Sequence, residues 1–313
     1  MESGLQSLLN LLIVVQFITG NLSNGFIVLI NLIDWVNKRK LSSVDQILII
    51  LAISRIGVIC EILVSLLKPL HYSFSTVDRE AIKIATFTWV VFHHFSLWLA
   101  TILSIFYLLK IASFSRPIFL YLKWRVKKVI LIILLGTLLF LFLNMIQINT
   151  HIEDWKHGRE RNTTRNSTVS DSASLSKLII FNMTMFSLTP FLVALISSLL
   201  LIISLWKHLQ KMQLNCKGHR DPRTKAHIDA LKIVVSFLLL YTSYFLSLFL
   251  SWVFQMPQSG LVHALSLTIS LIYPSGHSLI LILGNSKMRQ AFLFVLSQLK
   301  CGTKDKDQRI TTL

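Results

Sequence analysis

Trp89–Ala112 reads WVVFHHFSLWLATILSIFYLLKIA. At 1.5 Å of rise per residue, a helix of this length crosses a hydrocarbon core about 30 Å thick. The stretch also carries the adjacent pair His93 and His94, and it closes on Tyr107 and Lys110. A span that only filled lipid would not need that polar insert. It reads as a helix whose first half meets a small molecule and whose last turn meets an intracellular partner.

The chain around it has the composition of a membrane protein. Of 313 residues, 53% are apolar and only 14% are charged, whereas soluble domains average about 25% charged. Long apolar runs recur at about 8–33, 44–67, 82–110, 129–149, 178–206, 233–254 and 261–284. The expectation is an all-α membrane protein, a seven-transmembrane helix bundle forming one receptor-sized domain over residues 1–300. After the seventh run, Met288, Phe292, Val295, Leu296 and Leu299 fall on one helical face, which predicts a short interfacial helix over 286–299 and a cytoplasmic tail over 301–313. The first apolar run has no basic segment before it and is too long for a cleaved signal peptide.

The net charge of +17 raises nucleic acid as a partner, but its distribution argues against one. Lys38-Arg39-Lys40, the acid-free set Lys110, Arg116, Lys123, Arg125, Lys127 and Lys128, and the basic segment Lys207–Lys232 alternate along the chain with segments of mixed charge. That alternation is the positive-inside pattern. It places the N-terminus outside the plasma membrane and the C-terminus in the cytoplasm. The sequons at Asn162 and Asn166 then lie in an outer loop and read as glycosylation sites, while those at Asn21 and Asn182 fall in or beside helices and read as silent. Three cysteines, Cys60, Cys216 and Cys301, are too few for a disulfide framework and read as reduced thiols, with acylation of Cys301 left open.

Thr86, Trp89, Val90, His93 and Leu97 share one helical stripe, which fits either a pocket wall or ordinary packing between helices. Adjacent helical residues point about 100° apart, so His93 and His94 do not chelate together, and no metal site is expected. No paired carboxylates, His-rich box or nucleophile constellation occurs, so neither an enzyme nor a cofactor is expected. A transporter would show paired breaks in its two halves, whereas Pro190 and Pro274 have no such match. Arg55 and Glu61 are the charges inside the second run, and Arg55 must pair or hydrogen-bond there.

Several stretches resemble one family. They are GNLSNGFIVLIN at Gly20–Asn31, LAISR at Leu51–Arg55, LWLATILSIFYLLKIASFS at Leu97–Ser115, KHLQKMQL at Lys207–Leu214, GHRDPRTKAHIDALK at Gly218–Lys232, SFLLLY at Ser236–Tyr241 and HSLILILGNSKMRQAF at His277–Phe292. In that order they are similar to the type 2 (bitter) taste receptors, a family of G-protein-coupled receptors. The chain lacks an acidic-Arg-Tyr triplet at the end of the third helix, where Phe106-Tyr107 stands. It also lacks Asn-Pro-x-x-Tyr in the seventh, where His277-Ser278 sits. Both departures fit that family, as does the missing cysteine pair. A vomeronasal-type pheromone receptor is the nearest alternative.

The resemblance implies a ligand site lined by Thr86, Trp89, Val90, His93 and His94 with Phe186, Tyr241, Tyr244, Leu248, Leu267 and Ser270. Where this chain has His93-His94, the family commonly has Asn-His. The resemblance further implies a polar core of Asn24, Arg55, His277 and Ser278, with Ser278 and Asn24 as the partners of Arg55. G-protein contact would fall at Tyr107 and Lys110, with gustducin-type coupling to phospholipase C and calcium. The third, fifth, sixth and seventh runs hold no Asp or Glu, so the agonists are expected to be uncharged amphiphiles. Membrane lipid is the remaining partner, and a homo- or hetero-oligomer is left open.

Overall fold

Lipid offers no hydrogen bonds to the backbone, so apolar runs satisfy their amides internally as helices. The computed structural model describes residues 2–37, 40–71, 79–112, 114, 117–161, 168–215, 222–253 and 260–310. Within these, the order is α1 (Glu2–Val36), α2 (Ser43–His71), α3 (Arg79–Ile111), α4 (Pro117–Trp124), α5 (Val126–Arg161), α6 (Thr168–Asn215), α7 (Pro222–Val253), α8 (Gly260–Gly284) and α9 (Ser286–Ile310), with no strand among the described residues. Seven of these, α1–α3 and α5–α8, are long and apolar enough to cross a membrane.

Several helices run past their apolar cores. α6 takes in Thr168–Lys177, most of which is polar, because that segment contains no Gly or Pro to stop it. α4 has no counterpart in the hydropathy pattern. It starts on Pro117, whose fixed φ suits the first helical position and whose missing N–H costs nothing there. The sequons at Asn162 and Asn166 lie outside the described residues, as do Cys216 and the side chain of Cys301. Cys60 is a free thiol on the outside of α2.

α3 is the axis of the bundle. Of its apolar window 72% is buried, against 11% for α5, so α5 lies at the periphery. Leu131, Ile132, Leu135, Leu139 and Phe142 of α5 are exposed, as a lipid-facing stripe would be. α3 packs on α2, α5 and α6, while α6, α7, α8, α1 and α2 close the ring by successive contacts. Below, the two ends of the bundle are called the Trp89 end and the Lys110 end, after their places along α3.

At the Lys110 end, α9 turns out of α8 through Asn285, whose carboxamide oxygen accepts from the backbone N–H of Lys287 at 3.0 Å. Met288 is fully buried and Phe292 stacks edge-on against Phe26 of α1 at 5.8 Å. Lys287 Nζ reaches Asp34 at 2.6 Å and donates to Asn31 Oδ1 at 2.9 Å, with Asp45 of α2 at 3.8 Å. Val295 and Leu296, on the predicted apolar face, remain exposed. The first turns of α9 are therefore held by protein.

Helix packing in membranes relies on close backbone approach at small residues. A Cβ added at Gly57 on α2 would stand 2.3 Å from Cγ of Phe92 on α3, near the root of that ring rather than at a flexible tip. The ring seats directly on the glycine. Gly57→Leu is expected to destabilise the receptor by about 1–3 kcal/mol through overpacking, seen as a fall of several degrees in the thermal unfolding midpoint in detergent. An unchanged midpoint would contradict the seating of Phe92.

Candidate functional site: a polar and aromatic column through the bundle

His93 lies on the inward face of α3 and is 2% exposed. Its Nε2 is 3.0 Å from Ser187 Oγ on α6, and its Nδ1 is 2.8 Å from the Tyr244 hydroxyl on α7. The proton positions follow from the partners. Ser187 donates its hydroxyl hydrogen to the Met183 carbonyl at 2.6 Å, so it accepts from His93 Nε2–H. Nδ1 then accepts from Tyr244. Trp89, one turn earlier, stacks against the same imidazole at 5.7 Å. Three helices thus meet at one ring. His94 points elsewhere, toward Phe95 and Trp98, and its Nε2 is buried without a partner among the described residues.

About two helical turns deeper, the Thr101 hydroxyl donates to the carbonyls of Leu97 and Pro190 at 2.9 and 3.1 Å. It also lies 3.4 Å from Tyr241. Ser104 and Ser197 pair their hydroxyls across the same α3–α6 seam. These bonds fix α3 against α6 on either side of the helix-interrupting Pro190.

Arg55 of α2 is fully buried. Its Nη2 donates to the Tyr273 hydroxyl at 3.3 Å and to Nδ1 of His277, both on α8. The guanidinium also lies over the Tyr273 ring at 5.2 Å, a cation–π contact that partly replaces lost hydration. Arg55 has no carboxylate within ion-pair distance among the described residues. Tyr273 in turn stacks on Tyr241 at 5.3 Å and packs against Tyr244 at 5.2 Å. Tyr244 therefore touches His93 on one side and the Arg55 centre on the other.

The Asn24 and Ser278 side chains do not hydrogen-bond Arg55, which corrects the expected pairing. Asn24 donates to the carbonyls of Gly20 and Pro274 at 2.8 and 3.2 Å. Ser278 bonds Ser23 at 2.8 Å and its own helix at Pro274 and Ser275. Short polar side chains in helices are readily captured by backbone carbonyls. These two tie α1 to α8 at Pro274 and leave Arg55 to longer partners.

The sequence profile of the family described as Taste receptor protein (TAS2R) matches residues 1–300. Taste receptor type 2 member 13 of Pongo pygmaeus is 65% identical over 298 residues, covering 95% of this chain and 98% of the relative. Taste receptor type 2 member 13 of Homo sapiens is 64% identical over the same length, with the same coverage. That of Mus musculus is 58% identical over 304 residues, covering 97% of this chain and all of the relative. The chain belongs to the TAS2R taste receptor family. It is a seven-helix, multi-pass membrane receptor for bitter taste that couples to G proteins, and it is not an enzyme.

Within this taste receptor, the residues expected at the ligand site are only partly gathered. The His93 ring contacts both Trp89 and Tyr244, Tyr241 follows one turn deeper, and Ser270 reaches Ser247 at 3.5 Å. Phe186 lies beside them against Phe140, and Leu248 packs on the central cluster. Val90 packs into the α5–α6 seam with Ile148, Ile152 and Met183, a cluster that Trp89 also borders. Leu267 packs among Ile13, Ile59 and Leu271 between α1, α2 and α8, apart from His93. Thr86 is half-buried near the start of α3.

Among the described residues, the space bounded by that lining is small. The space touching His93, His94, Phe186 and Asn144 is about 10 Å³, which suits roughly one water. A larger space of about 30 Å³ lies at the Lys110 end, lined by Ser104, Tyr107, Ser198, Phe237 and His277 among others. Tyr107 is half-buried there, while Lys110 is exposed with Nζ over the Phe106 ring at 5.3 Å. Tyr273, Ser187 and Phe237 escaped the sequence reading. The i, i+4 relation of Tyr273 to His277 was the available signal for the first.

Replacing Tyr244 by Phe keeps the rings packed but leaves buried His93 Nδ1 without its donor. The expected cost is about 1–3 kcal/mol, read as a lower thermal midpoint of the purified receptor. A midpoint equal to wild type would contradict the hydrogen bond.

Proposed function

We propose that bitter agonists bind at the Trp89 end, against Trp89, His93, Tyr244 and Phe186, and that binding is read out at Tyr107 and Lys110 by a G-protein α-subunit. The observation that carries this reading is the unbroken contact chain His93–Tyr244–Tyr273–Arg55–His277–Phe237. Phe237 lines the same space at the Lys110 end as Tyr107. An agonist that displaces Tyr244 from His93 changes the packing of Tyr273 and so the setting of Arg55. A ligand shifts such a bundle by as much as its affinities for the two states differ.

In this account the Lys110 end faces the cytoplasm and the Trp89 end the exterior of the plasma membrane, following the distribution of Lys and Arg. The N-terminus is then extracellular, the C-terminus cytoplasmic, and Asn162 and Asn166 carry glycans. Residues 1–300 act as one receptor domain, with α9 resting in the lipid interface. Signalling runs through a gustducin-type G protein to phospholipase C and calcium.

The space beside His93 is about 10 Å³, so ligand entry there depends on side-chain movement. Phe186 and Met183 border it and swing more cheaply than the doubly bonded His93. With few polar anchors and this opening cost, agonist affinity is about micromolar. The agonists are uncharged amphiphiles, since α3, α6, α7 and α8 offer a cationic ligand no carboxylate within their apolar spans.

Calcium release in cells co-expressing the receptor with a promiscuous taste G protein tests the site. A bitter agonist found by screening wild type is expected to lose at least about tenfold in potency in both Trp89→Ala and Tyr244→Ala. Responses of wild-type potency in both variants, at equal surface expression, would remove the site from the Trp89 end.

A further inference from the structure

The apolar seam between α6 and α7 at the Lys110 end is built from Leu201 and Leu205 packed against Ala230, Leu231 and Val234. One turn beyond Leu205 stands His208, and one turn before Leu231 stands His227. The two imidazoles are the next rung of that seam, with ring centroids 4.7 Å apart and planes at 73°. His208 is exposed and His227 half-buried. Among the described residues neither ring makes a hydrogen bond. Two imidazoles from different helices, in contact and reachable from solvent, have their nitrogens unspent.

We propose that His208 and His227 form a bridging site for a divalent transition metal of the zinc type, one ligand from each helix. Two nitrogens bound at 2.0–2.1 Å with near-tetrahedral angles place their ring centroids about 5 Å apart. The observed separation is within a small side-chain rotation of that value. Among the described residues no third His, Cys, Asp or Glu joins them, so water completes the coordination and the affinity is about micromolar rather than that of a closed structural site. Lys207, next in sequence, disfavours hard cations held mainly by charge. Zn²⁺, Ni²⁺ and Cu²⁺ bind imidazole more strongly than Mg²⁺ or Ca²⁺ does.

The bound ion joins the ends of α6 and α7 and so opposes their separation. That consequence rests on the reading that the G protein engages the Lys110 end; the site itself does not. The pair is distinct from His93 and His94, which adjoin on one helix and face different neighbours.

The test uses the full receptor, purified in detergent, with Zn²⁺ as the probe and Mg²⁺ as the control. Diethyl pyrocarbonate labelling read by mass spectrometry is expected to show both His208 and His227 protected by about 10 µM Zn²⁺, with EDTA reversing the protection. The thermal midpoint of wild type should rise by a few degrees with Zn²⁺, and not in His208→Gln or His227→Gln. Absent protection at both residues, or a midpoint gain that persists in both variants, would overturn the site. In reconstituted membranes, Zn²⁺ should lower agonist-stimulated nucleotide exchange at least about fivefold in wild type alone. Protection without that loss would overturn the clamp and count against G-protein engagement at the α6–α7 ends, while leaving the metal site standing.

Discussion

A guanidinium is buried in the middle of this bundle with no carboxylate beside it among the described residues. Taking such a group out of water costs several kcal/mol even after relaxation. Arg55 can be tolerated only if α8 presents acceptors and a π-face at the right height. Tyr273 supplies a hydroxyl and a ring, and His277 one turn later supplies Nδ1. The position of α8 relative to α2 is therefore set by one charge. Asn24, Ser23 and Ser278 hold α1 to α8 around Pro274 beside it.

This requirement also shapes the path between the two ends of the receptor. Tyr273 cannot serve Arg55 without lying against Tyr241 and Tyr244, and Tyr244 cannot hold its place without meeting His93. Packed rings of this kind have few alternative arrangements because the interior has no spare volume. A local displacement at His93 is therefore passed on as a change of packing rather than absorbed.

The fold was largely legible in the chain. Long apolar runs and alternating basic segments lead to seven helices, and the helices are there. What hydropathy could not show was where each helix stops outside lipid, because Thr168–Lys177 and Glu2–Ser7 are helical without being apolar. α4 escaped because its eight residues, though mostly apolar, are too few to register as a span. Periodicity put Trp89 and His93 on one stripe, and they do share a ring contact. It could not separate Val90, 100° around the helix, from that stripe, and Val90 faces α5 and α6 instead. The Asn24 and Ser278 assignment failed because sequence reveals which polar groups are present at depth, not whether a nearby carbonyl captures them first.

The central claim is that Tyr273 couples the Arg55 centre to the outer site through its hydroxyl. Basal and agonist-stimulated nucleotide exchange on a purified G protein, measured for Tyr273→Phe in the full receptor, tests it most directly. The ring stack is kept and one hydrogen bond to a charged group is lost, which is worth about 1.5–3 kcal/mol. The account predicts wild-type surface levels with basal exchange raised about tenfold. Basal exchange and agonist potency both equal to wild type, in a receptor that folds normally, would contradict it.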